Sequence, residues 1–181
     1  MKEKIKKELW VLHRKADQTR SIHGQIKQKY DTINTRITLF ITIGSAIAAM
    51  LIFAEIPNVY KYIGGFLSAI IFIVSLIPGS MKYENRIQER AVAVKLWGDW
   101  TRNARDFCNV EIEEISDKKA KVQHKLLIES YKKVMESTPD IPDEFFNEGK
   151  RNHLQKVEIS KELDKSPFKT IEEIKKELKN R

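Results

Sequence analysis

Cysteine is nearly absent from this 181-residue chain, with Cys108 its one thiol. A disulfide framework within the chain is therefore excluded, as is any zinc cluster built on two or more cysteines. Glycine and proline are also scarce, at seven and five residues. No glycine loop able to cradle a phosphate is present, because Gly64 and Gly65 lie inside an apolar run and Gly98 stands alone. His13, His23, His124 and His153 are far apart, without Cys or carboxylate companions at ligand spacing, so neither a metal site nor a cofactor is expected. Cys108 lacks a nucleophile signature, and Glu111, Glu113, Glu114 and Asp117 fit a solvated helix face better than an acid/base pair. The expectation is a protein that is not an enzyme.

Charge is missing where it matters most. Charged side chains make up 32% of the chain, yet between Ile37 and Met81 only Glu55 and Lys61 carry one. Two charge-free runs result, Ile37 to Ala54 with 18 residues and Tyr62 to Met81 with 20. As helices they reach roughly 27 and 30 Å, against a bilayer core of about 30 Å. Helices buried in a soluble bundle usually keep a polar stripe, and neither run has a charge on any face. A signal peptide fits poorly, since the first run begins behind a long charged segment and a second run follows. A net charge of +8 invites a nucleic-acid reading. The basic residues, however, alternate with acids, crowd the flanks of the apolar segment and have no aromatic stacking platform, so no nucleic-acid partner is expected.

The connection EIPNVYK, Glu55 to Lys61, stops one helix and turns the chain, which predicts a tight antiparallel hairpin with spans at about 37–56 and 62–81. Tyr60 and Tyr62 sit at the turn and Tyr30 and Tyr83 beyond the other ends, where amphipathic rings favour the headgroup level. Arg20, Lys27, Lys29 and Arg36 precede the first span and Lys82, Arg86, Arg90 and Lys95 follow the second, whereas the turn holds only Lys61. Both termini are therefore expected in the cytoplasm, with the basic flanks drawn to anionic lipid.

Within the spans, small and hydroxyl residues recur at helical spacing. Gly44 with Ala48 and Ser45 with Ala49 form small pairs four apart, and Thr38 and Thr42 stand on a neighbouring face. In the second span Gly64, Ser68, Phe72, Ser75 and Gly79 form a stripe. Such stripes let backbones approach closely. Two readings stay open: all of them pack one hairpin, or some also meet neighbouring hairpins and line a wet path. Pro78 and Gly79 offer a kink near the end of the second span.

The N-terminal flank, residues 1–36, carries a heptad seam of Ile5, Leu9, Leu12, Ala16, Thr19, His23, Ile26, Tyr30, Ile33 and Ile37, running into the first span. Its partner is either the segment after the second span or another subunit. Residues 82–138 are rich in helix formers, with stripes Ile87, Ala91, Val94, Gly98 and Val92, Leu96, Trp100, Phe107. A break is expected between Phe107 and Ser116, then a helix carrying Val122, Leu126 or Leu127, Tyr131 and Val134. Residues 139–181 hold a linker marked by Pro139 and Pro142 and a helical tail. Asp143 can cap a short helix bearing Phe145 and Phe146, and Asn152 to Leu163 continue a weak helical pattern; the last helix starts at Ser166–Pro167 or at a Thr170/Glu173 capping box. It docks either on its own bundle or on a partner protein. The expected fold class is an all-α membrane protein, a two-span transmembrane helical hairpin extended into a cytoplasmic helical bundle.

In this order of parts the chain resembles the SLATT domains, two-span effector domains of bacterial conflict systems. The likeness is carried by KQKYDTINTRIT, by GSAIAAMLIF in the first span, by the short Pro turn, by GGFLSAIIFIVSLI in the second, and by ENRIQERAVAVKLWGDWTRNARDF with Ala93, Leu96, Trp97 and Trp100. It covers roughly residues 10–165. The resemblance implies a homo-oligomeric effector of the bacterial inner membrane that forms a pore or breaches the bilayer in anti-phage defence, by abortive infection. It also implies a cytoplasmic trigger, often a nucleotide-signalling partner, and no catalytic residue. The alternatives are a non-conducting membrane scaffold that recruits a cytoplasmic partner and a regulatory subunit of a larger membrane complex.

Overall fold

Helix is the only regular structure among the described residues. The computed structural model describes residues 1–53, 57–165 and 170–179. In chain order the helices are α1 (Lys2–Phe53), α2 (Asn58–Met81), α3 (Tyr83–Asp106), a π-helical turn at Phe107–Glu111 that runs into α4 (Ile112–Glu114), α5 (Asp117–Ser137), α6 (Asp143–Lys165) and α7 (Ile171–Lys179). The expected all-helical class is what the structure shows, and two of the helices are long and apolar enough to span a membrane. Contacts divide the chain into two units, Met1–Gln25 with Val92–Arg181, and Ile26–Ala91, and α1 contributes to both.

The discontinuous unit is built around the first seven turns of α1. Ile5 and Leu9 pack against Phe107, Cys108, Ile112, Ala120 and Leu127; Ala16 packs among Trp97, Trp100 and Ala104, flanked by Leu12, Tyr131 and Val134. Of the two partners open to the seam, the segment from α3 to α5 takes this stretch. Burying side chains such as Leu9, Ile112 and Phe107 stabilises the unit by about 1.5–3 kcal/mol each. The inward face of α3 runs Ala93, Trp97, Trp100, Ala104, which corrects the stripe of Val92 and Leu96: Val92 is exposed and Leu96 half-buried. On α5, Ala120 and Leu127 are buried, whereas Val122 and Leu126 face out.

The expected break between Phe107 and Ser116 is narrower than the sequence suggested. Helix persists through the π-helical turn to Glu114, and the chain turns only at Ile115, which is extended, and Ser116. Ser116 caps α5, its hydroxyl accepting from the Lys119 N–H at 3.4 Å. The Pro139–Pro142 segment is non-helical, and beyond it α6 is a single helix of 23 residues carrying both Phe145 and Asn152. Gly149 lets α6 lie close on α1, where a Cβ would stand 2.6 Å from Ile22 Cγ1; nearby, Asn152 Nδ2 donates to Gln25 Oε1 at 2.9 Å. At α7 the Thr170 capping box is made: the Thr170 N–H donates to Glu173 Oε2 at 2.8 Å and the Glu173 N–H to Thr170 Oγ1 at 3.3 Å. Ile174 of α7 is buried, and α7 packs on α6. Ser166, Pro167 and Phe168, the other cap and its neighbour, lie outside the described residues, as does Glu55 of the turn.

In the second unit the later half of α1 and α2 run antiparallel. Gly44 faces Ile71, Gly64 faces Ala48, Leu51 and Ile52, and the rings of Tyr30 and Tyr83 meet at the other end. Pro57, extended at φ −50° and ψ 142°, precedes α2, and its carbonyl accepts from the Tyr60 N–H at 3.0 Å. The second helix thus begins at Asn58, four residues earlier than the expected start of the span, because Pro presets the first turn and has no N–H to leave unbonded. Pro78 is accommodated within α2, and the helix ends at Lys82. Lys82 is left-handed, at φ 50°, and its N–H bonds the Gly79 carbonyl at 3.3 Å. A lysine in this conformation, where glycine is usual, costs about 1–2 kcal/mol.

Candidate functional site

The residues singled out for membrane and oligomer contacts all belong to the second unit, and the structure sorts them by helix face. Along α1 the inward positions are Ile37, Ile41, Gly44, Ala48 and Leu51, buried or half-buried at alternating steps of four and three. They continue the seam of Ile26, Tyr30 and Ile33, of which Ile26 is buried and the other two half-buried. Along α2 the inward positions are Gly64, Leu67, Ser68, Ile71, Val74 and Pro78. Both rows repeat every 3.5 residues, as expected where two helices cross at a shallow angle and ridges interdigitate.

Gly44, Ala48 and Gly64 are therefore brought together in the hairpin contact, with Ser68 half-buried beside them. The glycines have a steric reason. A Cβ on Gly64 would stand 3.0 Å from Leu51 Cβ and 3.2 Å from the Ala48 carbonyl oxygen, and one on Gly44 would stand 3.0 Å from Ile71 Cδ1.

Thr38, Thr42, Ser45 and Ala49 are not part of that contact. Each is one residue further along than an inward position, hence about 100° round the helix, and all are exposed. Ser75 and Gly79 are exposed too, as is Phe72, which had been expected on the Gly64 stripe. The missed residue is Ile71. Its signal was present in the heptad step from Gly64, but the four-residue steps of the small residues drew the stripe away from it.

Five of the hydroxyls in the apolar runs satisfy themselves. Thr38 donates to the Asn34 carbonyl and Thr42 to that of Thr38, both at 2.9 Å; Ser68 donates to Gly64 at 3.0 Å, Ser75 to Phe72 at 2.7 Å and Ser80 to Leu76 at 2.9 Å. Each has returned its proton to its own helix, so none leaves an unbonded donor on the surface.

In the first unit the seam residues Leu9, Ala16 and His23 are buried and Leu12 is half-buried. Charge there is arranged at the surface. Lys6 pairs with the Glu113 carboxylate, which holds the lysine above its ordinary pKa and Glu113 below its own. His13 lies edge-on to Trp10, ring centroids 5.1 Å apart, and burial lowers its pKa despite the opposing Asp17. Burial likewise raises the pKa of Cys108 against the pull of Lys6. Among the described residues no three His, Cys, Asp or Glu side chains converge as a metal site. No family model matches the chain, and neither a curated protein nor a solved structure matches it.

Proposed function

We propose that the chain is a two-span membrane protein, non-enzymatic, whose α1–α2 hairpin lies in the bacterial inner membrane with both termini in the cytoplasm. One observation carries this reading: the outer faces of the hairpin are almost wholly apolar and uncovered, with Phe53 85%, Tyr62 78%, Phe66 71% and Met50 70% exposed. In water such a surface would be an aggregation patch; in lipid it is ordinary. Alkaline carbonate extraction of membranes tests insertion, and release of the chain into the supernatant would end the proposal.

The activity we propose is that of a homo-oligomeric effector that breaches the membrane when a cytoplasmic sensor, such as a nucleotide-signalling partner, triggers it in anti-phage defence. It is supported by the division of small residues, since Gly44, Ala48 and Gly64 close the hairpin while Thr38, Thr42, Ser45, Ala49, Ser75 and Gly79 stay on outward faces where a neighbouring copy can pack. Replacing Ser45 and Ser75 by Leu should leave the monomer intact and abolish any loss of membrane potential, followed with a potential-sensitive dye in expressing cells. Full potential collapse by the double variant would refute a small-residue assembly.

A second reading, a non-conducting membrane scaffold, is favoured by the hydroxyl bonds. Five hydroxyls already bonded to their own helix need no water, so a wet path is not required to satisfy them. A chain that never changes membrane permeability under any trigger yet co-purifies with a cytoplasmic protein would decide for the scaffold.

A further inference from the structure

Where α2 gives way to α3, the cations of the second unit outnumber its acids. Lys27, Lys29, Arg36, Lys82 and Arg86 fall in residues 27–36 and 82–86, against Asp31 and Glu84. Among the described residues neither Lys82 nor Arg86 takes part in an ion pair. Arg86 is nonetheless placed: its guanidinium carbon lies 5.7 Å from the centroid of the Tyr30 ring, and that ring meets Tyr83 at 6.0 Å between centroids with the planes tilted by 44°. A cation set against an aromatic face loses part of its freedom while keeping its N–H donors for another acceptor. Lys82 is one turn away, the Arg86 N–H bonding its carbonyl at 3.1 Å. Glu84 lies about 200° round α3 from Arg86, and Glu89 about one turn beyond Arg86. The left-handed backbone of Lys82 ends the apolar helix at this point and begins the charged one.

We propose that Lys82 and Arg86, set beside the Tyr30–Tyr83 ring pair, bind the phosphate headgroup of an anionic phospholipid. The inference rests on the membrane reading above. A lipid fits better than free phosphate because the apolar surface begins at once: Met81 and Ile77, both exposed, lie within two turns below Lys82 and offer a bed for acyl chains. Two tyrosines at the boundary, each half-buried, suit the headgroup level. Basic residues between helices on the cytoplasmic side are the usual means of holding such headgroups.

The full chain in detergent micelles is titrated with phosphatidylglycerol or phosphatidylcholine and the retained lipid read by native mass spectrometry, with inorganic phosphate as competitor. Phosphatidylglycerol should be retained over phosphatidylcholine, Arg86→Gln and Lys82→Gln should each weaken it about fivefold, and Lys132→Gln, at an exposed position on α5, should leave it unchanged. Equal retention of the two lipids, or variants that match the unaltered chain, would overturn the site, and displacement by millimolar phosphate would reassign it to the free anion. Carbonate extraction of the same variants separates the two ideas. A chain that stays in the membrane without lipid preference loses only the headgroup site, whereas a chain that is extracted loses the membrane reading with it.

Discussion

Trp100 donates its indole N–H to the carbonyl oxygen of Leu127 at 2.9 Å inside the first unit, whereas the indole of Trp97, one turn earlier on α3 and equally buried, has no acceptor among the described residues. Both rings stand edge-on to Tyr131, at 5.0 and 5.2 Å between centroids. The two tryptophans therefore contribute alike in apolar burial and oppositely in hydrogen bonding. Trp100→Phe removes a bond worth about 0.5–1.5 kcal/mol, and Trp97→Phe removes an unsatisfied donor that costs about 1–3 kcal/mol. Trp97→Phe should be the more stable variant in thermal unfolding followed by far-UV circular dichroism. The reverse order would show that the Trp97 N–H finds an acceptor.

The hairpin contact makes a similar contrast between neighbours. Gly64 is tight against Leu51, Ile52 and the Ala48 carbonyl, whereas a Cβ on Gly65 would meet open space among the described residues. Gly64→Val should destabilise the hairpin by about 1–3 kcal/mol, the range for overpacking. Gly65→Ala should stabilise it by about 0.5–1 kcal/mol, as glycine inside a helix gives way to alanine. Melting temperatures in detergent measure both, and an equal effect of the two changes would contradict the packing.

Docking of α6 on α1 depends on Gly149. A Cβ 2.6 Å from Ile22 Cγ1 forces one element to move, so Gly149→Ala should loosen α6 even though alanine is the better helix former. Hydrogen exchange should accelerate along Asp143–Lys165 while α5 keeps its protection. Unchanged exchange would mean that Ile22 yields freely.

Acid should weaken the first unit in two steps. His13 has a folded pKa below its unfolded value of about 6.5, so its contribution is complete above that pH and is lost as pH falls through the lower folded value. Glu113 is also depressed, and what it contributes is complete above an unfolded value of about 4.3 and lost further down. Urea unfolding at pH 7.5 and 5.5 reads the first step alone. His13→Gln should flatten it, and a variant with the same slope as the unaltered chain would place the pH dependence elsewhere.

Cys108 should be slow to alkylate. It is buried against Ile5 and Leu9, and burial raises its pKa, so the reactive thiolate is rare at neutral pH. Its reaction with a maleimide should rise at least tenfold in urea. Rapid labelling of the native chain would show that the π-helical turn opens.

Much of the helical order could be read before any contact was known. Charge segregation around Ile37–Met81, the 3.5-residue seam from Ile5 onward, the Pro139–Pro142 linker and the Thr170/Glu173 cap depend on spacing and local chemistry, which are properties of the chain alone. The partition of faces was different. Whether Ser45 or Gly44 turns inward, whether Phe72 or Ile71 meets α1, and whether Val122 or Ala120 is buried depends on the crossing angle and axial register of two helices. Small residues mark where close approach is possible without saying which of two adjacent rows is used. Composition therefore determined that the chain has an apolar, helical centre between charged helical flanks, since hydropathy and propensity act residue by residue. Only the tertiary structure decided which glycines are crowded, which indole is unbonded and where Arg86 rests, because each of these depends on atoms that distant segments bring within a few ångströms.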